Sequence, residues 1–157
     1  MAKETERKFL VNISKLPELK NGLNRDQGYL SVDPCVRIII TNPTDETLRR
    51  SLIAVKGDGT IERDEFEYLV PNKDGRSIFK LSKYVINKTR YLIRDEEQGL
   101  TWELDEFHGN LSGLWLVEVE LESKDIKPKL PEWVGKEVTE DIRYYSMYLA
   151  MNGKWWT

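Results

Sequence analysis

Through much of this chain polar and apolar side chains alternate with a period of two, the signature of strands with two unlike faces. In "KETERKFLV" Glu4, Glu6 and Lys8 share one face, while Phe9 and Val11 lie on the other. Similar alternation, bounded by turn formers, predicts strands over 3–12, 28–40, 48–56, 61–70, 87–95, 101–107 and 114–122. The intervening "NPTDE", "KGDGT", "EEQG" and "HGNLSG" are short and turn-rich, so neighbouring strands read as antiparallel hairpins. Helices are few: one capped by Ser14 and running to Leu23, one around Arg76–Ser82, and one starting at Ser123 and halted by Pro128 and Pro131. The clearest follows Thr139, where Tyr144, Met147, Tyr148 and Met151 recur at helical spacing and Gly153 supplies the stop.

The charges on these strands are sorted. Arg63, Glu65 and Glu67 share a face, as do Lys88 and Arg90, Glu103 and Asp105, and Glu118, Glu120 and Glu122. For one strand alone the bland explanation is a solvated face. Segregation of carboxylates onto some strands and cations onto others instead suggests that they confront one another across an enclosed space. A sheet achieves that by curling into a barrel, which predicts an α+β fold: a closed antiparallel β-barrel with a polar, charged lumen, a few flanking helices, and its apolar core outside the wall. Such a lumen is costly unless counter-charges, ions or a charged ligand satisfy it. Lys8, Arg37, Lys56, Arg63, Lys88 and Arg90 all fall at inward parity, which points to a compact polyanion. The pairs Glu4/Glu6 and Glu118/Glu120 suit Mg2+ or Mn2+ bridging carboxylate to phosphate.

Composition narrows the field. At 157 residues with 32% charged side chains, the chain fits a single domain spanning 1–157 with a real core. A net charge of −3 argues against a nucleic-acid partner. One cysteine, Cys35, excludes an internal disulfide, and one histidine, His108, excludes paired-imidazole zinc chemistry. His108 reads as an exposed turn residue and "GDG" at 57–59 as a tight turn. With no membrane-length apolar run or leader pattern, a cytoplasmic location without membrane association is expected. Trp155 and Trp156 are candidates to pack on the barrel or on a homodimer partner.

Taken in order, "ETERKFLV", "QGYL", "VRI", "VKGDG", "ERDEFEY", "NKTRY", "WELDEF", "LVEVEL" and "EVTEDIRYYSMYLA" resemble the CYTH superfamily of triphosphate tunnel metalloenzymes, especially its short bacterial inorganic triphosphatases. The resemblance implies a tunnel of about eight strands. It also implies metal-binding carboxylates at Glu4, Glu6, Glu118 and Glu120, with Asp105 at or near the metal. Lys8, Arg37, Lys56, Lys88 and Arg90 would cradle triphosphate, with Arg63 as a further member, and Tyr29 would close against Lys8. The C-terminal helix would plug or brace the tunnel, its Arg143 reaching phosphate or bridging a wall carboxylate.

The implied activity is metal-dependent hydrolysis of the terminal phosphoanhydride of a linear triphosphate. Its catalytic set is Glu4, Glu6, Lys8, Glu118 and Glu120, with Glu118 or Glu65 as carboxylate base. Rival readings are hydrolysis of nucleoside or thiamine triphosphates, class IV-type adenylyl cyclisation, and non-catalytic polyphosphate binding. One departure bears on strength: relatives commonly carry an RxR pair where this chain reads Arg37-Ile38-Ile39. Loss of one charge-assisted contact weakens phosphate binding by about 1–3 kcal/mol. Arg50, at the same parity as Lys56, is the expected compensation.

Overall fold

The computed structural model describes residues 3–155. Nine strands are formed: β1 (Lys3–Val11), β2 (Leu23–Val32), β3 (Cys35–Thr41), β4 (Arg50–Lys56), β5 (Glu62–Val70), β6 (Tyr84–Asp95), β7 (Leu100–Phe107), β8 (Trp115–Glu120) and β9 (Val134–Glu137). Eight of them run in the hydrogen-bonded order β5-β4-β3-β2-β6-β7-β8-β1, and β1 pairs back onto β5 to close an antiparallel barrel. β1 divides its second edge between two partners. Residues 3–5 pair with β5, and Phe9 and Val11 pair with β9 after a register shift.

Two helices complete the fold. α1 (Asn72–Phe79) crosses the outside of the wall over β2–β4. It comes close enough that a Cβ at Gly75 would collide with Ser51, and one at Gly28 with Ser82. α2 (Ser146–Asn152) ends at Gly153, whose φ of 63° is the left-handed conformation that glycine adopts without a steric cost.

The apolar core has two parts. Phe9, Trp102, Leu104, Val117, Val119, Leu121, Trp133 and Val134 form the outer part, with Phe9 and Trp133 each set edge-on to Trp102. The other part occupies one end of the barrel interior. There Tyr29, Ile86, Phe107 and Leu116, on the same strand faces as the charged residues, pack with Leu149 and Ala150 of α2. The expectation of a core wholly outside the wall is therefore corrected: α2 stoppers one mouth, and apolar filling there spares the chain further buried charges in need of partners.

Other expectations change for local reasons. The predicted strand 28–40 is a hairpin of β2 and β3 turning at Asp33-Pro34, where proline supplies no N–H to a ladder. The helix expected over 14–23 is a single 3-10 turn, Ile13–Lys15. Beyond it Leu16 and Leu19 lie against the outer core, and Asn21 takes a φ of 57°, so burial overrides weak helical propensity. The helix expected to start at Ser123 does not form. That segment instead leads into β9, whose "VGKE" has too little alternation to announce a strand. The C-terminal helix divides into a 3-10 turn, Ile142–Tyr144, and α2. His108 is half-buried, not exposed, with Nε2 2.7 Å from the Thr89 hydroxyl. Trp155 packs on the inner core and donates its indole N–H to the Ser112 carbonyl at 3.3 Å, whereas Trp156 lies outside the described residues. Among the described residues no helix is long and apolar enough to cross a membrane.

Candidate active site

A cavity of about 440 Å³ receives side chains from all eight barrel strands, from the 57–60 turn and from residues 142–147 ahead of and within α2. Alternation explains its lining. On β1 the inward positions are Glu4, Glu6 and Lys8, on β5 Arg63, Glu65 and Glu67, on β6 Lys88 and Arg90, and on β8 Glu118 and Glu120. Cross-strand register then sets opposite charges side by side: Glu4 faces Arg63, Lys8 faces Glu118, and Lys56 faces Glu65.

Two ionic groups result. On the β1–β4–β5 side the Lys56 ammonium lies 3.0 Å from Glu4 and 2.8 Å from Glu65. Arg63 stands 3.5 Å from Glu4, and Arg37 reaches only to 4.0 Å from Glu65. On the β6–β7–β8 side Asp105, 1% exposed, accepts from Lys88 Nζ at 2.8 Å and from Arg90 Nε and Nη2 at 2.7 and 2.8 Å. Arg90 also donates to Glu103 at 2.9 Å and approaches Glu118 at 3.7 Å. Lys8 donates to the Tyr144 carbonyl at 3.0 Å and sits 5.9 Å from the centre of the Tyr145 ring.

The carboxylates are tuned apart. Burial, and then the neighbouring Glu118 charge and hydrogen bond, push Glu6 well above the usual carboxyl range. Burial acts on Glu118 in the same sense, but Lys8, the hydrogen bond with Glu6 and Arg90 overcome it and hold Glu118 well below that range. Glu6 thus holds a proton to higher pH than Glu118 does. Partial burial and the charges of Glu4, Glu103 and Glu65 raise Glu120. Against these stands Asp105, where Arg90 and Lys88 outweigh burial and hold the carboxyl at about 2.

The comparisons follow this geometry. The family model for the CYTH domain matches residues 43–147. The chain belongs to the CYTH family. An inorganic triphosphatase of Acetivibrio thermocellus is 38% identical over 157 residues, covering 97% of this chain and 96% of the relative. One of Nitrosomonas europaea is 36% identical over 167 residues, covering 95% and 97%. A solved inorganic triphosphatase structure superposes with a TM-score of 0.65 at 32% identity, covering 96% of each chain.

Within this CYTH barrel most of the residues singled out from sequence line the one cavity: Glu4, Glu6, Lys8, Tyr29, Arg37, Lys56, Arg63, Lys88, Arg90, Glu118 and Glu120. Four expectations change. Asp105 is not among the residues lining the cavity, and both its oxygens accept from Lys88 and Arg90. Arg143 is turned away from the cavity, paired with Asp141 at 2.6 Å on the surface, because Asp141 caps the 3-10 turn and holds the guanidinium beside it. Tyr29 engages Gln27, which donates to its hydroxyl at 2.8 Å, not Lys8. Arg50 is exposed at the far end of β4 and reaches no part of the cavity. Sequence reasoning missed Arg25 and Glu103, although Arg25 precedes Gln27 and Tyr29 by the strand period.

CYTH triphosphatases are generally metal-dependent. Among the described residues no three His, Cys, Asp or Glu side chains are disposed to hold a metal ion by themselves. The donor chemistry still fits Mg2+ or Mn2+, which need only one or two carboxylates beside water and substrate phosphate.

Proposed function

We propose that this chain hydrolyses the terminal phosphoanhydride bond of inorganic triphosphate with Mg2+ or Mn2+ as cofactor. The supporting observation is the convergence of seven cationic side chains, Lys8, Arg25, Arg37, Lys56, Arg63, Lys88 and Arg90, on one cavity, interleaved there with the carboxylates of Glu4, Glu6, Glu65, Glu118 and Glu120. The named activity of relatives that match over almost the whole chain supports the same reading.

In this scheme the arginines and lysines neutralise the polyphosphate and hold it extended, which lowers the barrier to attack on phosphorus by positioning and charge. Entry of the anion exchanges partners: Lys56 and Arg63 give up part of their hold on Glu4, freeing that carboxylate for metal. Glu4, Glu6, Glu118 and Glu120 would hold the ion, and Glu6 must then release its proton. When bound, the metal supplies charge neutralisation at the phosphoryl oxygens and acidifies water. Glu118, kept ionised because Lys8, the Glu6 hydrogen bond and Arg90 outweigh burial, would meet the ion without first losing a proton, and the proton of the attacking water would leave to solvent. No side-chain nucleophile is needed.

Tripolyphosphate, pyrophosphate, ATP and thiamine triphosphate, each incubated with and without divalent metal, test this reading. Rapid metal-dependent orthophosphate release from tripolyphosphate, ahead of the nucleotide substrates, is expected. Cyclic nucleotide from ATP, or binding without turnover, would overturn it.

A further inference from the structure

Arg25 belongs to neither ionic group. It sits on β2 directly across from Lys88 of β6, a like-charge cross-strand pair, with Arg90 two positions along the same β6 face. Such pairs are unfavourable unless an anion lies between them. The carboxylates near enough to influence Arg25, Asp105 and Glu103, are already engaged by Lys88 and Arg90. Arg25 Nε is closed off from solvent and has no hydrogen-bond partner, while the side chain as a whole stays partly open to the cavity. Arg37, on the neighbouring β3, likewise keeps a buried, unpartnered Nε. Between these two arginines the inward position of β3 is Ile39, paired across from Gln27 and therefore diagonal to Arg25, and it brings no donor at all. A long side chain on β2 reaches that diagonal place.

We propose that Arg25 is a substrate-contacting residue that donates to phosphoryl oxygens of the bound polyphosphate between Arg37 and the Lys88–Arg90 pair, filling the place that Ile39 leaves without a donor. An unpartnered, partly buried guanidinium is a cost in the empty protein and a gain once a phosphate supplies its acceptors. Burial and the charges of Arg90 and Arg37 bear this out, pulling Arg25 down to about 10, the sense expected of a cation held among cations. Because Arg25 stands beside Lys88 and Arg90 and not beside Glu4 or Glu120, its part is grip on the anion and not metal capture.

This inference rests on the cavity being a polyphosphate site, and the test separates the two. Tripolyphosphate binding is measured by calorimetry in EDTA, where turnover is absent, for the unsubstituted protein, Arg25→Gln and Arg25→Lys. Steady-state KM and kcat with Mg2+ and thermal unfolding are measured on the same proteins. If the unsubstituted protein binds no tripolyphosphate, the reading of the cavity fails and this inference with it. If it binds, Arg25→Gln is expected to lose at least fivefold in affinity and to raise KM by a similar factor. Its unfolding temperature should not fall, since an unpaired cation has been removed. Arg25→Lys, which keeps the charge, is expected to recover part of the loss. A loss under fivefold, a loss accompanied by a lowered unfolding temperature, or a Lys variant no better than Gln overturns the assignment.

Discussion

Replacing Asp105 with Asn tests whether this carboxylate clamps Lys88 and Arg90 or, as expected from sequence, serves the metal. The carboxylate is buried and receives three N–H donors from Lys88 and Arg90. Asparagine keeps the shape but leaves the buried Lys88 ammonium without its counter-charge and Arg90 with only Glu103 and Glu118, a loss of about 3–5 kcal/mol when one partner of a buried ion pair is removed. For a domain of this size each kcal/mol shifts the unfolding temperature by about 2–4 °C, so a fall of roughly 6–20 °C is expected by calorimetry. The pH dependence gives a second reading. Asp105 is held at about 2 against an ordinary 3.8, so the unfolded chain takes up its proton first as pH falls. Its contribution of roughly 2–3 kcal/mol is therefore complete above about pH 4 and lost as pH drops through about 2, and the Asn variant should lack that part of the acid transition. Unfolding at the parent temperature would refute the clamp. So would a variant that keeps its stability and loses only metal affinity, which would return Asp105 to the metal-ligand role expected from sequence.

The remaining predictions concern the cavity and its rim. Glu6→Gln mimics the protonated state that burial and Glu118 already favour, so its unfolding temperature at neutral pH should hold or rise. Metal-dependent phosphate release should nevertheless vanish, and retained turnover would remove Glu6 from the metal site. Glu4→Gln should also abolish turnover, while Lys56 retains Glu65 as partner; calorimetric Mg2+ titration with tripolyphosphate present checks the role directly. Arg143→Ala should leave both KM for tripolyphosphate and the unfolding temperature essentially unchanged, as befits an exposed pair with Asp141. A raised KM would place that arginine back in the substrate path.

Period-two alternation settled a great deal by itself. It put Glu4, Glu6 and Lys8 on one face of β1 and Glu118 and Glu120 on one face of β8, because successive side chains on a strand must point oppositely. Sorting of like charges onto particular strands announced an interior shared by several of them, and "ETERK" with the segments after it announced the family. Turn chemistry located most hairpins, and Gly153 marked the end of α2.

What alternation could not give is which inward residue meets which, since that depends on register and on where the barrel closes. Asp105 and Glu118 carry the same charge at the same inward parity. Yet Asp105 lies opposite Arg90 and is consumed by it, while Glu118 lies opposite Lys8 and borders the cavity. Likewise Arg50 shares parity with Lys56 but sits six residues along β4, outside the cavity, whereas Arg25 on another strand reaches it. Short segments without periodicity, such as β9 and the extended stretch carrying Leu16 and Leu19, took their form from the apolar surface they cover. Sequence therefore determined the faces and the chemistry they carry. Tertiary structure decided the pairing, because a charge buried in a barrel is satisfied by whatever the closing register brings within reach, and only the surplus is left to bind.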